Sequence, residues 1–220
     1  MWELVVAGVV GYLVGAVPFG YILGRLLRGI DVRDYGSGAT GATNVLRVLG
    51  PKAFLATLLL DSLKGWIPVL LAWHLTHDHT VQVVMGICAI VGHDFPVYIG
   101  FRGGRGVATA FGVYAALLFP LAAGLTALGI FIVLAFRYMS LMSIVTVPLG
   151  AVVLLALGLA EARMPGVGEV PESYAIFGLA ASALVLLRHI GNIRRLLSGT
   201  EPKIGEGGRP RMAPRPDTGR

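Results

Sequence analysis

The stretch Val107-Ala108-Thr109-Ala110-Phe111-Gly112-Val113-Tyr114-Ala115-Ala116-Leu117-Leu118-Phe119-Pro120-Leu121-Ala122-Ala123-Gly124-Leu125-Thr126 decides the fold. The apolar run continues to residue 136 without a charge, and Pro120 is its one proline. Proline removes a backbone donor and disrupts a helix interior. A mere kink there makes residues 107–136 one pass through a membrane. A turn at Phe119-Pro120 makes two short passes, 107–119 and 120–136. Outside this stretch the apolar segments are 2–24, 52–74, 81–100, 138–160 and 173–187, so the chain has six or seven spans.

Charge placement chooses between them. The 25–52 loop carries Arg25, Arg28, Arg33, Arg47 and Lys52; the 101–106 loop carries Arg102 and Arg105; Arg137 marks a further turn. The segment from Arg188 onward adds more basic residues. By contrast, the loops 75–80 and 161–172 hold only Arg163. With a turn at Phe119-Pro120 every basic loop falls on one side. The positive-inside rule makes that side cytoplasmic and the N-terminus external. The expected architecture is therefore an all-α integral membrane protein. It is a seven-transmembrane-helix bundle with short or broken helices, and its polar loops gather on the cytoplasmic side.

Composition agrees. Of 220 residues, 55% are hydrophobic and 14% charged, against about 25% charged in soluble domains. The 31 glycines fit close helix packing, and Gly11/Gly15 and Gly20/Gly24 have GxxxG spacing. The single Cys88 excludes an intrachain disulfide and reads as a small buried hydrophobe. The N-terminus lacks a basic leader and reads as a retained helix. His74, His77, Asp78 and His79 read as a helix-capping loop in preference to a metal site. Residues 1–204 form one polytopic domain, and 205–220 a basic, disordered cytoplasmic tail.

Four polar stretches interrupt this apolar chain. The first is Gly36-Ser37-Gly38-Ala39-Thr40-Gly41-Ala42-Thr43-Asn44, with Arg47 beyond. Its hydroxyls, amides and a nearby helix start favour an anion. The second is Asp61-Ser62-Leu63-Lys64-Gly65. Asp61 and Lys64 share a helix face and form an ion pair or, with Lys64 on a phosphate, a binding pair. The third runs from Gly92-His93-Asp94-Phe95-Pro96 to Phe101-Arg102-Gly103-Gly104-Arg105-Gly106-Val107-Ala108-Thr109. Its glycines can turn N–H groups toward a phosphate beside Arg105. His93 does acid–base work or braces the loop. The fourth is His189-Ile190-Gly191-Asn192, followed by Gly199-Thr200-Glu201-Pro202-Lys203-Ile204-Gly205. His189 and Asn192 share a helix face. Two phosphate cradles are expected. No GxxxxGK[ST] is present, so nucleotide hydrolysis is not indicated.

In order and spacing, these stretches resemble the bacterial acyl-phosphate:glycerol-3-phosphate acyltransferase family from about residue 11 to 205. The patterns GSGxxGATNxxR, DxxKG, GHxFPxxxxFxGGxGVAT and HxxNIxRL…GTEPKIG are jointly specific. The resemblance implies transfer of a fatty acyl group from acyl phosphate to the sn-1 hydroxyl of glycerol 3-phosphate. The products would be lysophosphatidic acid and phosphate, the first step of phospholipid synthesis, at the cytoplasmic membrane. It implies Ser37, Arg47, His189 and Asn192 as catalytic residues. Substrate binding falls to Gly36, Gly38, Thr43, Asn44, Lys64, Gly103, Gly104, Arg105, Gly106, Ser140 and Ser143. Asp61, His93 and Glu201 take structural roles. It implies no cofactor, no metal and no nucleic acid; the partners are the two substrates, membrane lipids and, functionally, the enzyme that forms acyl phosphate. The chain departs from the family pattern at Ala39, where Asn is usual, and at Arg105, where Lys is usual. An HxxxxD motif, the acyl-CoA solution, is absent. An anion transporter is the other reading, since broken helices aim their N-termini at anions in such proteins, but no inverted repeat is visible.

Overall fold

A computed structural model describes residues 1–164 and 167–206. The helices are α1 (Trp2–Gly15), α2 (Phe19–Arg28), α3 (Ala42–Leu49), α4 (Pro51–Thr76), α5 (His79–Asp94), α6 (Val107–Leu117), α7 (Phe119–Phe136), α8 (Met139–Leu159) and α9 (Ser173–Leu197). A two-residue antiparallel pair, with Arg163 opposite Glu169, lies between α8 and α9. The expected tail at 205–220 falls almost wholly outside the described residues.

The chain does turn in the deciding stretch, one residue earlier than expected. Leu118 is extended (φ −153°, ψ 89°) and separates α6 from α7, with Pro120 in the first turn of α7. That position suits proline, because the first helical N–H groups have no intrahelical acceptor. Among the described residues, six helical segments are long and apolar enough to cross a membrane: Trp2–Arg28, Pro51–Thr76, His79–Ile99, Phe119–Phe136, Met139–Leu159 and Ser173–Leu197. The other expected pass is the 11-residue α6. At about 1.5 Å per residue it rises about 16 Å, roughly half the hydrocarbon thickness.

Where α6 sits explains why a cavity exists. It stands between α4 and α7 and also reaches α5, α8 and α9. Its lower turns fill the core. Val113, Tyr114 and Leu117 pack with Ile90, Leu154, Phe177 and Val185, and the buried Tyr114 hydroxyl donates to the Val147 carbonyl at 2.9 Å. Beyond its N-terminus the longer neighbours continue and enclose a space. Helix α1 packs outside on α5, where Cβ atoms at Gly11 and Gly15 would run into the backbone at Met85 and Ala89. The GxxxG spacing thus serves helix packing.

The last helix runs ten residues past its apolar segment, to Leu197, carrying Arg188, His189, Asn192 and Arg195 on one rod. The histidine loop is a cap: Asp78 accepts from Thr80 N at 2.7 Å, and His79 stacks on Trp73. Among the described residues no three metal-binding side chains come together.

Candidate active site

The space above α6 is a cavity of about 480 Å³. Two helix N-termini open onto it. Gly41, Ala42 and Thr43 bring the start of α3, and Val107 and Ala108 the start of α6. Both present donor groups and a partial positive charge. The two expected cradles are walls of this one cavity: Thr40 N donates to the Gly103 carbonyl at 3.4 Å, joining the loops.

Ser37, Thr43, Asn44, Arg47, Asp61, His93, Arg105, Ser140, Ser143, His189, Asn192 and Glu201 all line it. Gly36, Gly38, Gly103, Gly104, Gly106 and Lys64 are not among its lining residues. Lys64 Nζ is instead 2.8 Å from Asp61 Oδ1 and donates to the Val17 carbonyl at 2.8 Å. The pair is buried, and charges taken out of water need such partners. The lysine expected at a phosphate is held back from the cavity.

The glycine loop also differs from the nest expected of it. Gly103 N donates to Asp94 O at 3.3 Å, and Gly104 N to His93 O at 3.0 Å. These donors complete the end of α5. Glycine is required at 104 for another reason: a Cβ there would overlap the His93 imidazole. Gly106 has φ +71°, a left-handed conformation that suits glycine, and it caps α6. The loop therefore seats Arg105 by close packing on His93.

Arg47 and Arg105 are half-buried and face the cavity. Among the described residues neither guanidinium has a protein hydrogen-bond or ion-pair partner. Burial lowers Arg105 to about 10, offset in part by Glu201, so it stays cationic at neutral pH. Burial lowers Arg47 too, again against the pull of Glu201. Two desolvated cations and two helix N-termini in one cavity are an arrangement that favours an anion.

Asn44 organises the first loop. Its Nδ2 donates to Val32 O, Ala39 O and Tyr35 O at 2.8, 2.9 and 3.2 Å, and its Oδ1 accepts from Ser37 N at 2.9 Å. Ser37 is thereby presented at the cavity wall. His189 Nδ1 lies 2.8 Å from the Val185 carbonyl. A carbonyl only accepts, so Nδ1 carries the proton, and a neutral ring offers Nε2 as an acceptor. Asn192 Nδ2 and Ser140 Oγ both donate to Glu201 Oε1, at 2.6 and 2.7 Å. Arg195 Nε donates to Oε2 at 2.7 Å. Burial opposes ionisation of Glu201, but these donors outweigh it and hold the carboxyl below its ordinary range. Ser143 donates to Met139 O at 2.9 Å.

Sequence reasoning missed Arg188. Its Nε and Nη2 clamp the Gly104 carbonyl at 3.1 and 2.7 Å, and its guanidinium lies over the Phe95 ring. Position 188 reads simply as one more basic residue at a membrane edge; no spacing signal links it to a loop 84 residues away.

The cavity's other half is apolar. Phe54, Leu58, Leu59, Phe111, Ile130, Val133 and Leu134 line it. Leu59, Ile130 and Leu134 are also exposed on the outer surface, so it opens sideways between α4 and α7. A shallower apolar groove continues along these helices past Ser62, Trp66, Ala115 and Phe119.

Residues 5–199 match the family model described as glycerol-3-phosphate acyltransferase. A glycerol-3-phosphate acyltransferase of Parasynechococcus marenigrum is 44% identical over 90% of this chain and 88% of its own length. One from Halalkalibacterium halodurans is 43% identical over 93% and 95%. Two crystal structures of PlsY (YgiH), an integral membrane glycerol 3-phosphate acyltransferase, superpose on the chain. The glycerol 3-phosphate form has a TM-score of 0.83 at 36% identity, covering 92% of this chain and 96% of that one. The lysophosphatidic acid form has a TM-score of 0.80 at 35% identity, covering 91% and 94%. With a matching family model over most of its length, relatives above 40% identity and a shared helical fold, this multi-pass membrane protein belongs to the glycerol-3-phosphate acyltransferase family.

Proposed function

We propose that this chain transfers a fatty acyl group from acyl phosphate to the sn-1 hydroxyl of glycerol 3-phosphate. The observation that carries the reading is the pairing of Arg47 and Arg105, whose guanidinium groups have no hydrogen-bond or ion-pair partner among the described residues, with an apolar wall that opens toward lipid. One end suits phosphate and the other an acyl chain entering from the bilayer. An acyl phosphate is already activated, so the main tasks are juxtaposition and charge stabilisation. Arg47 and Arg105 offset the repulsion between two phosphates. Ser37 and the start of α3 donate to the acyl phosphate. Asn192 and His189 orient the attacking hydroxyl. The new bond joins that oxygen to the acyl carbon, and the acyl–phosphate C–O bond breaks. The proton passes to His189 Nε2 or to a phosphate oxygen.

In the same reading α6 counts as a seventh pass, the N-terminus is external and the site faces the cytoplasm of a bacterial inner membrane. Residues 205–220 are a basic cytoplasmic tail, and the acyl-phosphate-forming enzyme supplies the donor. Purified protein in lipidic medium should release phosphate only when acyl phosphate and glycerol 3-phosphate are both present. Comparable turnover with acyl-CoA alone as donor would reject the assignment of the donor. Uptake without turnover would instead favour a transporter.

A further inference from the structure

Beyond α9 the chain turns back as a short strap fixed at two places. At its near end Thr200 N and Glu201 N both donate to the Arg195 carbonyl, at 2.8 and 3.2 Å. At its far end it reaches the turn between α7 and α8. Ile204 N donates to Arg137 O at 2.9 Å, and Arg137 Nη2 donates back to Ile204 O at 3.1 Å. Lys203 Nζ lies 5.6 Å from the centroid of the Tyr138 ring. Glu201, which holds Asn192 and Ser140 in the cavity wall, belongs to the near anchor, and the far anchor follows three residues later at Ile204.

Arg137 stands where glycine is the customary residue. It ends α7 in the left-handed conformation, φ +65° and ψ 18°, with its N–H on Val133 O. A side chain is strained in that conformation, and strain of this kind points to a role for the side chain. The Arg137 side chain is exposed, and its one hydrogen bond among the described residues goes to Ile204.

We propose that Arg137 is a positioning residue for glycerol 3-phosphate, acting through the strap that carries Glu201 into the cavity. The proposal rests on the functional reading above. Fixing the strap fixes the Glu201 carboxylate, and that carboxylate aims Asn192 at the hydroxyl it orients.

Arg137→Gly separates this role from stability, because it removes the side chain while relieving the left-handed backbone. Its melting temperature should equal or exceed that of the wild type. Its KM for glycerol 3-phosphate should rise about fivefold, with kcat and the KM for acyl phosphate within about twofold. Arg137→Lys keeps a donor for Ile204 O and should recover most of the loss. In a Glu201→Gln background the further effect of Arg137→Gly should vanish, since both act through one carboxylate. Amide exchange at Ile204 should quicken in Arg137→Gly. An unchanged KM for glycerol 3-phosphate, full additivity with Glu201→Gln, or unchanged exchange at Ile204 overturns the proposal. If wild-type protein releases no phosphate from the two substrates, the functional reading fails instead, while the exchange rates still decide whether Arg137 holds the strap.

Discussion

Asn192 and Glu201, nine residues apart, are joined by a 2.6 Å hydrogen bond from Nδ2 to Oε1. The same carboxylate takes Ser140 from α8 and Arg195 from α9. One acidic side chain thus ties two helices and the following strap around the cavity. Glu201→Ala leaves the buried Asn192 and Ser140 groups without their acceptor and should cost about 1–3 kcal/mol. Thermal unfolding in detergent would measure the loss, and an unchanged midpoint would refute the clasp.

The clasp also sets a pH dependence. Glu201 is held below the ordinary carboxylate range by its donors, against the opposing effect of burial. A depressed carboxyl contributes stability that is present above its unfolded value, about 4.3, and is lost as pH falls through the folded value. The stability gap between wild type and Glu201→Gln should hold steady from pH 7 to about 5. It should narrow only below about 4. Narrowing between pH 7 and 5 would contradict the assignment.

Arg105 should be the most sensitive cation. Arg105→Ala removes a charge and a donor fork, and one charged hydrogen bond is worth about 1.5–3 kcal/mol. Catalytic efficiency toward glycerol 3-phosphate should fall at least about tenfold. Arg105→Lys keeps the charge and should retain much more. Kinetics with each substrate varied in turn test this; an unchanged glycerol-3-phosphate dependence in the alanine variant would move that phosphate elsewhere.

Gly104→Ala should damage the site through sterics. The new methyl would overlap the His93 imidazole and push Arg105 out of place. Activity should fall at least about tenfold, as for a misplaced catalytic group. Adding His93→Ala removes the obstructing ring, so the double variant should lose less than the product of the single losses. Strict multiplication of the losses would show that His93 is not the obstacle.

Topology is open to cysteine labelling in a Cys88→Ala background. Positions 78 and 168 should react from outside, and 102 and 200 from the cytoplasmic face. Labelling of 78 and 102 from one side would reject the proposed orientation.

The sequence by itself determined that the chain is an integral membrane helix bundle. Apolar run length and the exclusion of charge from the bilayer are local properties of the chain. The break beside Pro120 was legible too: proline marked the place, and the one-sided distribution of basic loops chose a turn over a kink. So were the four polar stretches, since groups that water would solvate stand out against an apolar background. Tertiary structure alone decided what each group faces. Lys64 and Arg105 are both cations beside glycines, yet one is paired with Asp61 and bonded to the Val17 carbonyl while the other opens onto the cavity. Gly103 and Gly104 read as an anion nest, but their N–H groups close the end of α5. Arg188 and Arg137 left no spacing signal, because their partners lie 84 and 67 residues away. Hydrogen bonds and desolvation depend on neighbours in space, and only packing around the short α6 brings those neighbours together.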